Sequence, residues 1–388
     1  MAKQISSPRG MRDFLPVEKL RREQILAEIL DVYQARGFQS IETPAMENLD
    51  RLLSGQGGDN EKLAFQVLKR GDELEKALGN SESLADLGLR YDLTVPLTRF
   101  YATNQAELPK VFKAVQTGPV WRAERPQKGR YRQFNQCDID ILGDETTDAE
   151  LELLTASLEV LDRLGLNDAM IRINHRGYLN RMMKKLAVDD PAGVLITIDK
   201  LDKIEISGVK KELSEKYDPE LAERVTSWLQ QESDMPDELA ELNLSNPRIK
   251  FDKTLVRGMG YYTGAVFEIE HPSSGQSIGG GGRYDGMVGR WLGKDVPAVG
   301  ISLGFERVVD LITKQFDKKP SVVLIYDDIE NALELQSQAI DAGFNARIEK
   351  RVKNMKVLLE AMRDQGYENF GVINGEHIFT NLEIKPLQ

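Results

Sequence analysis

Five cations crowd one short stretch of this sequence. In WRAERPQKGRYRQFNQ, residues 121–136, Arg122, Arg125, Lys128, Arg130 and Arg132 are opposed only by Glu124. Planar guanidinium groups suit bidentate contacts to phosphate. Phe134 on the returning segment offers a ring on which a base can stack. The plain alternative is a solvated hairpin tip, since charge runs are usually surface. A second stretch, LVRGMGYYTGAVFE (255–268), sets one cation, Arg257, among apolar residues, two glycines and the pair Tyr261-Tyr262. On a buried strand Arg257 needs an anion, either a substrate carboxylate or phosphate or a structural carboxylate. The run GGGGRYD (279–285) brings backbone close to a ligand or makes a flexible turn. It fits neither GxGxxG nor a P-loop. In GISLGFERVV (300–309) a Gly-spaced apolar strand runs into a helix. Arg307 in its first turn is placed to meet phosphate, or Glu306 and Arg307 form an ordinary surface ion pair.

Elements must hold these groups in place. Apolar residues recur at Leu20, Ile25, Leu26, Ile29, Leu30 and Tyr33, which predicts a first helix ending at Arg36-Gly37. FQSIETP, LAFQVLKR and GLRYDL read as short strands, with SGQGGDNE (54–61) as a polar loop between the first two and TVPLTRFYATN as a helix after the last. VFKAVQTGPVWRAE and FNQCDIDILG alternate as two arms of an antiparallel hairpin carrying the basic stretch at its tip. Residues 146–164 predict a capped amphipathic helix, AMIRIN a strand, and 176–250 a charged, Pro-punctuated helical insertion. RIKFDKTLVRG and YYTGAVFEIE predict further strands. Beyond Asp317-Lys318-Lys319-Pro320 strands and helices alternate, which predicts a small α/β domain with a largely parallel sheet. The chain therefore reads as α+β: residues 1–320 form a mainly antiparallel body and 321–388 the α/β tail.

Composition narrows the function. In 388 residues, 51 Lys and Arg stand against 62 Asp and Glu, a net charge of −11, which argues weakly against a protein that coats nucleic acid. One cysteine, Cys137, excludes an internal disulfide framework. His175, His271 and His377 are far apart, so no zinc site of thiolate and imidazole is expected. No apolar leader and no membrane-length apolar run occurs, so a cytoplasmic location is expected.

Taken in order, GFQSIETP, LRYDLT, WRAERPQKGRYRQFNQ, LVRGMGYYTGAVFE, GGGGRYD and GISLGFER resemble the catalytic domain of class II aminoacyl-tRNA synthetases. Within that class they resemble the histidyl-tRNA synthetase family, from about Pro8 to Leu311. The tail resembles the family's anticodon-binding domain. The resemblance implies a histidine–tRNA ligase that uses ATP with Mg2+, no zinc, and tRNA as acceptor, working as a homodimer with no membrane. It implies that Arg122, Glu124, Arg130, Phe134 and Arg307 bind ATP. It implies that Asp92, Thr94, Gln136, Asp140, Arg257, Tyr261, Tyr262 and Tyr284 surround histidine. Arg122 and Arg257 would then stabilise the reacting phosphoryl group. In the tail Arg347, Lys350, Arg351, Lys353 and Lys356, with Glu349 as the nearby anion, are candidates for tRNA phosphates. The chain departs from the family at Gly260, where many relatives are acidic, at Asp92, where many have Glu, and in its short tail. The rival reading is a non-catalytic relative such as the regulatory subunit of ATP phosphoribosyltransferase. That relative typically lacks the Arg-rich segment and the Arg of GISLGFER, both present here. A generic RNA-binding protein leaves Arg257 and the tyrosines unexplained.

Overall fold

The computed structural model describes residues 5–53, 64–80, 83–126, 129–242, 245–257 and 261–387. The expected loop at 54–61, Lys128 and Gly260 lie outside them. The chain divides into two compact units. One holds residues up to Asp13 and Ile25–Thr313, the other Phe14–Gln24 and Lys314 onward.

The first unit is built on an eight-stranded sheet. Its spatial order is Gln39–Ser40, Phe112–Trp121, Gln133–Leu142, Ala298–Gly304, Gly279–Arg283, Ala265–Glu270, Met170–His175, Ile249–Phe251. The outermost pair at each side is parallel and the rest are antiparallel. This is the α+β architecture expected from the sequence. The alternation of FNQCDIDIL explains the chemistry of the central strand. Cys137, Ile139 and Ile141 lie on one face and Gln136, Asp138 and Asp140 on the other, and all six are buried. A buried row of polar side chains is costly unless something satisfies it.

Helices cover the sheet. Thr94–Asn104 packs against Gly286–Leu292 through a core that includes Leu97, Tyr101, Phe112, Tyr284 and Val288. Asp148–Arg163 packs on Gln133–Leu142 and Ala298–Gly304. Thr147 gives this helix no side-chain cap, so the expected capping is absent; Asp148 and Glu150 in its first turn still complement its dipole. The insertion folds as four helices between Arg176 and Gln230 around Leu179, Val194, Val209, Leu213 and Val225. Two of them start at Asp190-Pro191 and Asp218-Pro219, where the Asp side chain caps the helix and Pro occupies its first turn. Several predicted strands are shorter than their sequence signal. FQSIETP contributes only Gln39–Ser40, and GLRYDL stops at Leu89. RIKFDKTLVRG contributes only Ile249–Phe251, so Arg257 is not on a strand.

The second unit orders its sheet Asn345–Lys350, Ser321–Tyr326, Asn369–Val372, Ile384–Pro386, parallel except for the last pair. VVLI reads as a continuous apolar run because both faces of that strand are covered. Val322 and Leu324 join one core with helix Ile329–Asp341, and Val323 and Ile325 join another with Met355–Asp364.

Candidate active site

The polar face of Gln133–Leu142 opens into a cleft of about 1170 Å³. Three acidic groups lie on its floor. The Asp140 Oδ1 accepts from the Tyr284 hydroxyl at 2.6 Å, while its Oδ2 has no partner. Asp92 stands at the start of helix Thr94–Asn104, where its Oδ1 accepts from the Val95 N–H at 3.0 Å; its Oδ2 is also unpartnered. Gln136 leaves its Oε1 unpartnered in the same way. Burial pushes the Asp140 carboxyl up to about 7 against the pull of the Tyr284 hydrogen bond, and the Asp92 charge adds to the rise. Burial likewise raises Asp92, opposed by its backbone hydrogen bond and by Arg122. Burial and then Asp140 hold Asp138 well above the usual carboxylate range. Orphaned buried acceptors are rare and expensive. Here they face a cleft that a donor-rich cationic ligand fits. Tyr261 and Tyr284 meet edge to face at 6.3 Å and Tyr262 lies against Tyr261 at 4.7 Å, giving the carboxyls an aromatic wall.

Cations gather in the same cleft. Arg122 donates through Nε to the Tyr91 carbonyl at 3.0 Å, with its guanidinium 5.1 Å from the Phe134 ring centre. Arg130 lies 3.8 Å from Glu124. Arg307, on helix Phe305–Leu311, donates to the Ser277 carbonyl at 2.5 Å. Burial lowers Arg307, and Arg130, Arg122 and Arg257 lower it further by like-charge repulsion. Four guanidiniums in a half-buried cleft, of which Arg307 is destabilised by the other three, can form a site for a polyanion. Arg122 is felt by both groups: it steadies Asp92 and Asp138 and repels Arg307. It therefore stands where an anionic and a cationic ligand moiety would meet.

Arg257 sits in a loop with φ of 57°, a left-handed conformation unusual for a side-chain-bearing residue. Its carbonyl accepts from Arg176 at 3.0 Å and its Nη1 pairs with Glu268 at 2.8 Å, while Nε has no partner. Of the two alternatives read from the sequence, the structural carboxylate is present. One edge is in a structural ion pair, and an unpartnered donor is left over. Glu268 is held in turn by Arg172, which also pairs with Asp202, Asp252 and Glu270. Among the described residues, Asp202, Glu268 and Glu270 are the carboxylates close enough to share a metal ion, and Arg172 is ion-paired with all three.

The glycine run is a sheet strand and not a turn. A Cβ on Gly280 would stand 2.8 Å from Arg257 Nη1, and one on Gly282 would stand 2.8 Å from the Tyr262 ring. On the next strand a Cβ on Gly300 would overlap Asp140 Oδ1 at 1.8 Å. The glycines leave room for functional side chains, Asp140 from a neighbouring strand and Arg257 and Tyr262 from the segment before strand Ala265–Glu270. Arg283, at the end of the run, is bound by Glu150 at 2.6 and 2.5 Å, and so fixes Tyr284 beside it.

The structure brings together in this cleft Asp92, Thr94, Arg122, Glu124, Arg130, Phe134, Gln136, Asp140, Arg257, Tyr261, Tyr262, Tyr284 and Arg307. Arg132 turns away and donates to the Glu124 carbonyl at 3.0 Å. Glu306 is buried and not a surface residue. It pairs with Arg12 and accepts the Asn135 N–H at 3.2 Å. Sequence reading missed Asp138, Ser302 and Glu268. The first was signalled by its place between Gln136 and Asp140 in a period-two strand; Ser302 and Glu268 depend on cross-strand register. In the other unit the tail cations have more partners than Glu349 alone. Arg347 pairs with Glu349, Arg351 with Asp327 at 3.1 Å and Lys356 with Glu360 at 3.8 Å.

An antiparallel sheet that gathers buried carboxyls and guanidiniums in one cleft defines an α+β protein of the class II synthetase type. A family model described as histidyl-tRNA synthetase matches residues 10–242 and 197–308. The chain is 48% identical to the histidine–tRNA ligase of Leifsonia xyli subsp. xyli, over 100% of this chain and 99% of that one. It is 37% identical to that of Aeropyrum pernix, over 78% of this chain and 73% of that one. Among solved structures, the histidyl-tRNA synthetase from Nostoc sp. PCC 7120 superposes with a TM-score of 0.79 at 26% identity, over 100% of this chain and 95% of that one. A Bacillus halodurans protein titled ATP phosphoribosyltransferase regulatory subunit/histidyl-tRNA synthetase superposes at 0.76 and 21% identity, over 97% and 100%, a likeness of fold. The chain belongs to the histidyl-tRNA synthetase family. No helix among the described residues is long and apolar enough to cross a membrane.

Proposed function

We propose that this chain activates histidine with ATP and transfers it to the 3′ end of its tRNA. The observation that carries this reading is the coexistence, in one cleft, of three unpartnered buried acceptors and four guanidiniums, of which Arg307 is destabilised by Arg130, Arg122 and Arg257. The acceptors suit a ligand with an ammonium and an imidazole N–H. The guanidiniums suit a triphosphate, and Arg122 lies where the two would join.

In the first step a histidine carboxylate oxygen bonds to the α-phosphorus, the bond to the β-phosphoryl bridging oxygen breaks, and pyrophosphate leaves. Arg122 and the free edge of Arg257 offset the repulsion of the two anions and stabilise the charge on the phosphoryl oxygens. Arg130 and Arg307 hold the outer phosphates, with Mg2+ supplying further charge neutralisation there. Phe134 stacks on adenine and Glu124 contacts its edge. Asp92, Thr94 and Gln136 receive the amino group, and Asp140, Tyr261, Tyr262 and Tyr284 enclose the imidazole. A pocket whose acceptors are buried rejects a hydrocarbon side chain that would leave them unpaired. In the second step the terminal ribose oxygen of tRNA attacks the histidyl carbonyl and AMP leaves. Residues 1–320 serve as catalytic core with 176–250 inserted, residues 321–388 dock the anticodon arm, and two copies form the working enzyme in the cytoplasm.

Histidine-dependent exchange of pyrophosphate into ATP by the purified protein, followed by charging of tRNA with histidine set against the other amino acids, tests the reading. Folded protein without exchange would favour the non-catalytic alternative. A monomer by light scattering at micromolar concentration would remove the dimer.

A further inference from the structure

Gln136 reaches the cleft with its carbonyl oxygen, and a carboxamide can point either end that way. Its surroundings choose. Strands Gln133–Leu142 and Ala298–Gly304 are antiparallel, with Asp138 directly opposite Ser302. The Gln136 Nε2 donates to Ser302 Oγ at 2.9 Å and lies 3.4 and 3.5 Å from the two Asp138 oxygens. Asp138 lies across the ladder from Ser302, whose hydroxyl opposes the rise that burial imposes on the Asp138 carboxyl, as a donor to the carboxylate does. A hydroxyl has one proton. Once Ser302 gives it to Asp138, only lone pairs face Gln136, and these accept N–H and not C=O. A neutral Asp138 could donate to Ser302 and release the hydroxyl proton toward Gln136, so this direction belongs to the ionised carboxylate; in either state an accepting Asp138 oxygen lies within 3.5 Å of Gln136 Nε2 and favours its N–H. The amide nitrogen is drawn inward, and Oε1 is left without a partner, like an oxygen each of Asp92 and Asp140, which line the same cleft.

We propose that Ser302 and Asp138 are positioning residues that fix the polarity of the Gln136 amide, so that its oxygen meets the α-ammonium of histidine. This rests on the functional reading above. Without Ser302 the amide loses its nearest acceptor and can turn, presenting N–H to an ammonium. The expected cost is about tenfold in amino-group recognition, the scale of one hydrogen bond to a charged group.

Two competing ligands separate the contributions. Histidinol carries the α-amino group without the carboxylate, and imidazole-propionate carries the carboxylate without the amino group. Their Kd values are measured by calorimetry on wild type, Ser302→Ala, Ser302→Thr, Gln136→Ala and the Ser302→Ala/Gln136→Ala double variant. Ser302→Ala should weaken histidinol about tenfold, leave imidazole-propionate and the ATP KM within twofold, and be rescued by Ser302→Thr. In the Gln136→Ala background its effect should vanish. If Ser302→Ala weakens both ligands alike, or costs as much without Gln136 as with it, the positioning role is overturned while the enzyme reading stands. If Gln136→Ala binds histidinol as tightly as wild type, the amino-group assignment of Gln136 falls and the proposal with it. If wild type binds neither ligand, the functional reading itself has failed.

Discussion

Replacing Asp140 by Asn tests whether the cleft stores the cost of binding histidine as buried charge. The two side chains have nearly the same shape, and the Asn oxygen can still accept from Tyr284. What changes is ionisation. Burial moves the Asp140 carboxyl from 3.8 to about 7. At about 1.4 kcal/mol per tenfold change in proton affinity, ionising it in the folded protein costs about 4 kcal/mol. The sign follows from proton binding. Between pH 4 and 7 the folded state holds a proton that the unfolded state has lost, so stability falls as pH rises through this window. The penalty is absent below pH 4 and complete above pH 7. Asp140→Asn cannot ionise and escapes it. The new amide N–H left without a partner costs the same at every pH, so the variant should lie about 0 to 2 kcal/mol below wild type at pH 4 and about 2 to 4 kcal/mol above it at pH 8.

Trp121, Trp228 and Trp291 are the only tryptophans, and all three lie in the first unit. Urea unfolding followed by tryptophan fluorescence, without ligand, therefore reads this unit alone. In exchange assays the same variant should raise the histidine KM at least a hundredfold, because an amide N–H then meets the imidazole N–H. Stability curves of wild type and variant that run parallel from pH 4 to 8 would refute the buried-charge argument. A normal histidine KM in the variant would refute the placement of the imidazole.

Removing cations separates their roles. Arg307→Ala should raise the ATP KM by about 10- to 100-fold, the value of a charged hydrogen bond, and leave the histidine KM nearly unchanged. Arg257→Ala should cut adenylate formation by orders of magnitude while its urea midpoint stays near that of wild type, since Glu268 keeps Arg172 as a partner. Gly300→Ala puts a Cβ into Asp140, so histidine Kd by calorimetry should rise at least a hundredfold, with destabilisation of about 1 to 3 kcal/mol in urea. Lys350→Ala/Lys353→Ala should leave pyrophosphate exchange intact, raise the tRNA KM several-fold and flatten its dependence on salt. An unchanged salt slope would remove those two lysines from the tRNA path.

The sequence announced side chains better than it announced the reasons for their placement. Arg122, Arg257 and Arg307 were visible because a cation beside apolar residues or in a dense basic run asks for an anion. The partner of Arg257 was not visible. Glu268 is eleven residues away, and only the loop at φ 57° brings the two together. Local pattern does not encode such a bend. Strand length failed for the same reason at 248–258: RIKFDKTLVRG has β-like composition, yet pairing with Met170–His175 ends at Phe251. In the tail a count along the sequence found one anion among five cations. The fold supplies Asp327 and Glu360 as well, which leaves Lys350 and Lys353 as the better candidates for an external phosphate.

The glycine run shows how a sheet centre becomes a site at all. Side chains on adjacent strands stand about 5 Å apart, so a large polar group in the middle of a sheet collides with its neighbours or is sealed by them. At Gly280, Gly282 and Gly300 the neighbours are missing, and Arg257, Tyr262 and Asp140 occupy the space. Glycine weakens a strand, and burying Asp140 adds the cost worked out above. Both costs fall on the same few residues, and histidine would relieve the second by supplying the absent donors. A methyl group at Gly300 would meet Asp140 first, at 1.8 Å, whereas one at Gly280 or Gly282 would meet the backbone carbonyl of Phe267 or Ala265 at 2.6 Å as well as the functional side chain, and so would strain the sheet too. Binding should therefore fail in Gly300→Ala under conditions where the protein still folds, while Gly280→Ala and Gly282→Ala should lose binding and stability together.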